Sequence, residues 1–206
     1  SGTLGAQVAN PTLNDNDIHD YTRDGILAIG GNLTISNNTV TGSATPLYGI
    51  NVQELTAGSV TGNTVTGHTR SAPWAAVGIG AWHVSGLTIT GNHVNGNFYG
   101  IDLAGGSDGN TVSGNELTNN IKRGISLDNS DNNTVSGNTV TGPAAGTDDV
   151  GIALVNTSTG NMIGGATAAD GNTIVMATAG TANLYAIHLQ SDVGAGSNTL
   201  RYNTIT

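Results

Sequence analysis

The sequence predicts an all-β protein with one domain, a single-stranded parallel β-solenoid of about seven to eight coils. Three observations support this fold class. Glycine fills 32 of the 206 positions and asparagine is also frequent, and both residues weaken helix interiors. A short motif returns along the chain. Val, Ile and Leu alternate with polar residues around that motif, as they do in half-buried strands and not in disordered chains.

The first repeating element is a turn that ends in asparagine, written Ile-Thr-Gly-Asn, Val-Ser-Gly-Asn or Val-Thr-Gly-Asn. It returns at intervals of 22 to 34 residues, which suits coils that bury their interior only against their neighbours. Asparagine tolerates left-handed backbone at sharp turns, and stacked asparagine side chains bond from coil to coil. We therefore predict a structural asparagine ladder, formed by Asn16, Asn38, Asn63, Asn92, Asn115, Asn138, Asn172 and Asn203.

The second repeating element is Gly-Ile followed by alternating residues, as in Gly124-Ile125. In residues 110–132, the apolar Val112, Leu117 and Ile125 are separated by polar residues and by turns. The strands are too short, and the spacers too rich in Gly and Asn, for helical crossovers. The Gly column indicates a second bend or a close approach of two backbones.

We expect residues 1–206 to form this single solenoid domain as a segment of a longer chain. The final residues, Ser-Asn-Thr-Leu-Arg-Tyr-Asn-Thr-Ile-Thr, still follow the repeat, and neither end carries the pattern of a capping helix. Open strand edges pair readily with other strands. Uncapped ends therefore predict head-to-tail self-association.

The composition excludes several classes of function. Five basic residues against 14 acidic residues give a net charge of -9, which does not suit a nucleic-acid partner. No apolar run reaches the roughly 18 residues of a membrane span. The absence of cysteine excludes disulfides and zinc–cysteine sites. We expect no cofactor, no nucleic acid and no membrane span.

The repeat resembles that of right-handed parallel β-helix proteins of the pectate-lyase-like superfamily, from about residue 10 to residue 206. The resemblance implies a right-handed helix and an extracellular or cell-surface location. It leaves the activity open, because this fold hosts lyases, hydrolases, epimerases and inert stalks.

One short segment is similar to a motif of alginate C5-epimerases and related lyases, Tyr-Gly-Phe-Asp-Pro-His. Residues 99–102 read Tyr-Gly-Ile-Asp, and residues 124–128 lie one coil later, where that family has a second, Gly-aromatic-x-x-Asp motif. This similarity implies roles for Tyr99, Asp102 and Asp128. Ala104 stands at the position of the family's histidine, so the expected proton-transfer partner is missing there.

Rare residues also gather in the middle coils. We expect His93 and Glu116 to be cross-strand neighbours about 5 Å apart, with Lys122 and Arg123 at the adjoining corner. A base, an acid and a cation suit uronate chemistry, in which the cation neutralises a carboxylate and the base removes the C5 proton. The alternative is a solvated surface that carries a His–Glu pair. The candidate catalytic residues are His93, Tyr99, Asp102, Glu116, Lys122, Arg123 and Asp128.

Aromatic and acidic side chains suggest two binding roles. Trp82 and Tyr99 are candidates for stacking on sugars, although tryptophans also serve as packing lids. The net negative charge opposes binding of a polyuronate unless calcium bridges the two. Calcium would suit carboxylates at the coil edges, which are otherwise solvated turn residues: Asp108, Asp128, Asp131, Asp148 and Asp149. We predict no other metal, because the histidines lack metal-ligand spacing.

Three functions remain open. The first is a secreted or cell-surface scaffold or carbohydrate-binding module without catalysis. The second is a polysaccharide lyase or C5-epimerase that acts on an acidic glycan. The third is ice binding through an outward Thr/Ser ladder, although threonine also simply suits exposed strands. The ladder pairs are Thr34/Ser36, Ser59/Thr61, Thr88/Thr90, Thr111/Ser113 and Thr134/Ser136.

Overall fold

The chain winds through three parallel β-sheets in every turn. The computed structural model describes residues 10–142, 149–176, 184–190 and 198–206. Strands are numbered in chain order. Sheet A contains β1 (Thr12–Asn14), β4 (Asn32–Ser36), β7 (Ala57–Thr61), β10 (Leu87–Thr90), β13 (Thr111–Ser113), β16 (Thr134–Ser136), β19 (Met162–Ile163) and β22 (Thr199–Leu200).

The other two sheets follow in each turn. Sheet B contains β2 (Asp17–Ile18), β5 (Thr39–Thr41), β8 (Thr64–Thr66), β11 (His93–Asn95), β14 (Glu116–Thr118), β17 (Thr139–Thr141), β20 (Thr173–Val175) and β23 (Thr204–Ile205). Sheet C contains β3 (Asp24–Ile29), β6 (Tyr48–Gln53), β9 (Val77–Trp82), β12 (Tyr99–Ala104), β15 (Arg123–Asp128), β18 (Asp149–Val155) and β21 (Leu184–Leu189). The described residues contain one short 3₁₀-helix, Ala168–Asp170, and no α-helix.

This architecture confirms the predicted all-β parallel solenoid. The number of coils is slightly lower than the predicted seven to eight. About six turns are well formed, because the first turn carries largely exposed strands and the last contributes only two strands of two residues.

Apolar side chains fill the interior in columns that run along the stack. Val112, Leu117 and Ile125 are 0 % exposed, as their alternation with polar residues predicts. Each lies opposite an apolar residue of the next turn, for example Val112 opposite Val135. Full burial of such a side chain stabilises a fold by about 1.5–3 kcal/mol, so the column arrangement holds consecutive turns together.

The repeated asparagines form a ladder at the corner between sheets A and B. The backbone N–H of Asn63 donates to Oδ1 of Asn92 at 2.9 Å, and that of Asn92 donates to Oδ1 of Asn115 at 3.0 Å. The left-handed residue here is the one before the ladder asparagine, such as Gly91 with a φ of 63°. The ladder asparagines themselves have no positive φ, so the expectation that asparagine takes this conformation is wrong: the preceding residue makes the turn, and the asparagine side chain bonds to the neighbouring turn.

Three further polar ladders, not predicted from the sequence, lie at the other corners. Between sheets B and C, backbone N–H groups donate to the side chain of the next turn through His68, Asn97 and Asn120. Between sheets C and A, two parallel ladders satisfy the buried backbone in the same way. Their members are Ser107, Ser130 and Ser158, and Asn110, Asn133, Asn161 and Asn198.

The Gly-Ile glycines lie where neighbouring backbones almost touch. A Cβ built on Gly100 would come within 2.4 Å of the carbonyl oxygen of Gly124, and one on Gly124 within 2.6 Å of that of Gly151. Neither glycine has a positive φ. Their role is therefore close backbone approach at the start of sheet C, one of the two roles that the sequence analysis left open.

His68 replaces asparagine at one position of the B–C ladder. It is 0 % exposed, and its Nδ1 lies 2.9 Å from Oδ1 of Asn97 while its Nε2 contacts the hydroxyl of Tyr21. Because Oδ1 of Asn97 can only accept, Nδ1 carries the proton and Nε2 accepts from Tyr21. Burial lowers the pKa of His68 below its ordinary value of 6.5, which favours the neutral imidazole.

We expect His68 to make the fold less stable in mild acid. Below pH 6.5 the unfolded chain gains a proton at this histidine that the folded chain does not, so the free energy of unfolding falls as pH decreases. His68→Asn keeps a ladder residue and removes this loss. Urea unfolding at pH 7.5 and at pH 5 should therefore show a relative gain for the variant at the lower pH.

His19→Asn is the matched control for this prediction. The carboxylate of Asp20 raises the pKa of the exposed His19, so its removal changes the same pH dependence in the opposite direction. Equal pH dependence of wild type and His68→Asn would contradict the neutral assignment of His68.

Candidate functional site

Two columns of outward side chains define the candidate site on sheet C. The first runs through Tyr99, Arg123, Val150 and Tyr185, one residue from each of four consecutive strands. The second runs beside it through Asp102, Ser126, Ala153 and His188. Because stacked strands keep the same register, these eight residues form one continuous patch on the outer side of the sheet, called here the sheet C face.

A hydrogen-bonded chain links the two columns. Nη1 of Arg123 donates to Oγ of Ser126 at 3.0 Å, and the Ser126 side chain is hydrogen-bonded in turn to the carboxyl group of Asp102. Ser126 is 0 % exposed although it points outward. Arg123 is therefore fixed by its neighbours and does not extend freely into water.

Burial dominates the ionisation of Asp102. The ring of Tyr48 lies over Gly80, the strand neighbour of Asp102, and helps to exclude water from this region. Burial raises the pKa of Asp102 to about 6; the Ser126 hydrogen bond lowers it, the nearby Asp128 raises it, and Arg123 lowers it. Asp102 thus changes protonation state close to neutral pH, which active-site carboxyls often do.

Tyr99 and Arg123 form a stacked pair. Cζ of Arg123 lies 5.2 Å from the centre of the Tyr99 ring, within the range of cation–π attraction. The ring of Phe98 packs against Tyr99 with centres 5.1 Å apart. A phenol and a guanidinium are thereby held side by side.

A cavity of about 320 Å³ opens on the sheet C face. Its described lining residues are Tyr99, Lys122, Arg123, Val150, Tyr185 and His188. Val150 is 8 % exposed and lies between Arg123 and Tyr185 in the first column, so it forms the floor between two walls of larger side chains. This volume lies in the range of small-molecule sites.

Tyr185 and His188 were not among the site residues predicted from the sequence. The two rings stack with centres 5.3 Å apart and form the wall opposite Arg123. Residues 185–188, Tyr-Ala-Ile-His, copy the spacing of Tyr-Gly-Ile-Asp at 99–102. Aligning this altered repeat would have placed His188 in the column of Asp102.

The structure does not bring all candidate catalytic residues together. His93 and Glu116 are paired in register, with Nδ1 3.2 Å from Oε2, but they lie on sheet B and are not among the described lining residues of the cavity. Their side chains are 43 % and 58 % exposed. Water therefore weakens this pair, as it does most surface ion pairs.

Asp128 and Trp82 lie outside the sheet C face, at the last positions of strands β15 and β9. Asp128 is hydrogen-bonded to Asn156 and stands in the column of Ala104 and Trp82. The Trp82 indole contacts Gly105, where an added Cβ would come within 2.7 Å of the ring. Its side chain is 46 % exposed, so one side of the indole is open to solvent.

Two hypotheses from the sequence remain: calcium binding by carboxylates at the coil edges, and ice binding by the Thr/Ser ladder. The described residues contain no group of three or more His, Asp or Glu that could hold a metal ion. Asp148 lies outside the described residues, and calcium binding stays a prediction. The Thr/Ser pairs stand in register on sheet A, for example Thr88 opposite Thr111, and ice binding also stays a prediction.

A family comparison matches most of the chain. The model described as "Right handed beta helix region" matches residues 2–174. The chain belongs to the right-handed β-helix family. No helix of the described residues is long and apolar enough to cross a membrane. No curated protein sequence matches this β-helix.

Solved structures with the same fold include two epimerases. The β-helix is similar to the A-module of the Azotobacter vinelandii mannuronan C-5 epimerase AlgE6, with a TM-score of 0.59 and 21 % identity over 97 % of this chain and 59 % of that one. It is also similar to a mutant of the periplasmic alginate epimerase AlgG, with a TM-score of 0.58 and 20 % identity over 89 % and 48 % of the two chains. The chain spans about half the length of these structures.

Proposed function

We propose that this β-helix acts on an acidic polysaccharide as a lyase or C5-epimerase, with the sheet C face as its binding surface. This reverses the order of the sequence analysis, which placed a non-catalytic scaffold first. The observation that supports this proposal most directly is a cavity whose lining includes the phenol of Tyr99 and the two cations Lys122 and Arg123. The fold shared with a mannuronan C-5 epimerase and a periplasmic alginate epimerase supports the proposal, and an extracellular or periplasmic location agrees with it.

The charge distribution suits an anionic substrate despite the net charge of -9. The chain contains five Lys and Arg residues, and two of them line this cavity. Removal of the C5 proton adds negative charge next to a carboxylate that is already negative. A guanidinium beside that carboxylate, as Arg123 would be, offsets this repulsion. Positioned cations stabilise such charge far better in a cavity than in water.

Incubation with alginate, pectin and other polyuronates tests the activity. Ultraviolet absorbance of an unsaturated uronate indicates a lyase, and inversion at C5 measured by proton NMR indicates an epimerase. Measurements with and without calcium also test whether the activity requires that ion. Unchanged substrates under all conditions would contradict the enzymatic proposal.

We expect Arg123→Ala to lower the turnover of a polyuronate by about 100-fold, as loss of one charge-stabilising group typically does. The guanidinium both faces the cavity and orders Ser126. Arg201→Ala removes an exposed cation in the last turn, away from sheet C, and should keep the wild-type rate. Equal rates for the two variants would show that Arg123 does not contact the reacting sugar.

A carbohydrate-binding module without catalysis is the second candidate. The observation that favours it is Ala104, which occupies the position of the epimerase motif's histidine and places a small apolar side chain next to Trp82. Glycan binding without turnover, lost on replacement of Trp82 and Tyr99, would support this candidate. A blank glycan array would leave a purely structural role.

A further inference from the structure

The cavity wall opposite Arg123 carries a histidine, the residue that is missing from the turn with the Tyr-Gly-Ile-Asp motif. Of the five histidines in the chain, His188 is the one that lines the cavity. His68 is buried in a ladder, His93 lies on sheet B, His83 directly follows β9 and packs against Trp82, and His19 is exposed in the first turn.

We propose that His188 is the base that removes the C5 proton and that Tyr99 is the acid on the opposite wall. This deepens the proposed function and rests on it. It places the reaction over Val150, closer to the C-terminal end of sheet C than the Tyr-Gly-Ile-Asp motif at residues 99–102. The histidine missing at Ala104 is thus supplied by a strand three turns further along.

The spacing of the walls suits one sugar ring. Arg123 and Tyr185 occupy the same column two strands apart, which corresponds to about 9–10 Å between their backbones. Val150 leaves this interval open because its side chain is shorter than those on either side. A ring in this interval would have its carboxylate against Arg123 and its C5–H towards His188.

Asp102 does not serve as the base in this arrangement. It is hydrogen-bonded to Ser126 and is not among the described lining residues of the cavity. Through Ser126 it orients Arg123, so it is a positioning residue. Imidazole, by contrast, is the most common general base in enzymes.

The proton and electron balance closes without another reagent. The C5–H bond breaks, its proton moves to a ring nitrogen of His188, and the electron pair delocalises into the carboxylate beside Arg123. In an epimerase, Tyr99 then gives its proton to the other face of C5. In a lyase, the C4–O bond breaks, a C4–C5 double bond forms, and the leaving oxygen takes the proton of Tyr99. Water restores both side chains.

The matched variants His188→Gln and His19→Gln test this assignment. His188→Gln should lower kcat by at least about 100-fold, leave KM within a few-fold, and remove the limb of the pH profile that reports the base. Added imidazole should restore part of the lost rate. His19→Gln should keep the wild-type kcat and pH profile. A wild-type rate and pH profile for His188→Gln would overturn the proposal.

Two measurements keep this test decisive if a variant folds poorly or turnover is absent. Val150→Trp leaves His188 unchanged but fills the interval between the walls, and it should abolish turnover while circular dichroism stays that of wild type. Full activity of Val150→Trp would overturn the location.

The second measurement follows the imidazole NMR signals of His188 during addition of a mannuronate trisaccharide. A shift in the signals of a wild-type protein that turns over supports the site. Signals that stay unchanged overturn it even if turnover is seen. A shift without any turnover overturns both the base assignment and the proposed enzymatic function, and retains only the binding surface.

Discussion

Replacement of Asn92 by leucine is expected to lower the free energy of unfolding by about 3–5 kcal/mol. Asn92 is 1 % exposed, and its Nδ2 donates to the carbonyl oxygen of Val60 at 2.9 Å and to Oδ1 of Asn115 at 2.9 Å. Its Oδ1 accepts from the backbone N–H of Asn63. Leucine has a similar volume but removes the side-chain partner of the Val60 carbonyl and of the Asn63 N–H, and it leaves Oδ1 of Asn115 with only the backbone N–H of residue 92.

Asn16→Leu is the control within the same ladder. Asn16 is exposed and also donates to the next ladder residue, Asn38, at 2.8 Å. Because water can replace this bond, we expect a loss below about 1 kcal/mol. Urea unfolding followed by circular dichroism compares the two variants. Equal losses would show that burial does not determine the strength of the ladder.

Gly124→Ala is expected to destabilise the fold by about 3 kcal/mol. The added Cβ would lie 2.4 Å from Cγ1 of Val140 and 2.6 Å from the carbonyl oxygen of Gly151. Both atoms belong to parts of the stack that cannot move alone, since Val140 is in the core and Gly151 is in the next strand of sheet C. The strands of sheet C would have to separate at this point.

Gly91→Ala separates steric overlap from backbone strain. A Cβ on Gly91 meets no atom within 4 Å, but the φ of 63° is left-handed. Alanine should therefore cost about 1 kcal/mol there. Thermal unfolding of both variants provides the comparison, and a larger loss for Gly91→Ala would contradict the close-approach role of Gly124.

The sequence predicts the fold well because a solenoid repeats its physical requirements in every turn. Apolar residues such as Val112 and Leu117 recur at equivalent positions, and so does the asparagine at the A–B corner. The other ladders escaped detection because different residues fill the same role. His68 stands in line with asparagines, and Ser107 begins a ladder of serines.

The candidate site was less predictable because the outward residues of sheet C differ from turn to turn, as Tyr99, Arg123 and Val150 do. Register alone places His93 opposite Glu116, yet it does not show that sheet B faces away from the cavity of sheet C. His188 is not recognisable from the sequence as part of this site because the spacing between repeats lengthens towards the C-terminal end. The position of a residue within its turn, and not its distance along the sequence, determines its neighbours in this fold.

The inner ladders also bear on how such a chain evolves. Each ladder residue needs a like partner only in the turns directly before and after it, as Asn92 does with Asn63 and Asn115. Duplication or loss of one whole turn therefore reconnects the hydrogen bonds of this asparagine ladder without new mutations. Outward positions such as Val150 and His188 carry no such constraint, so single substitutions there can create or erase a reaction centre while the scaffold is inherited unchanged.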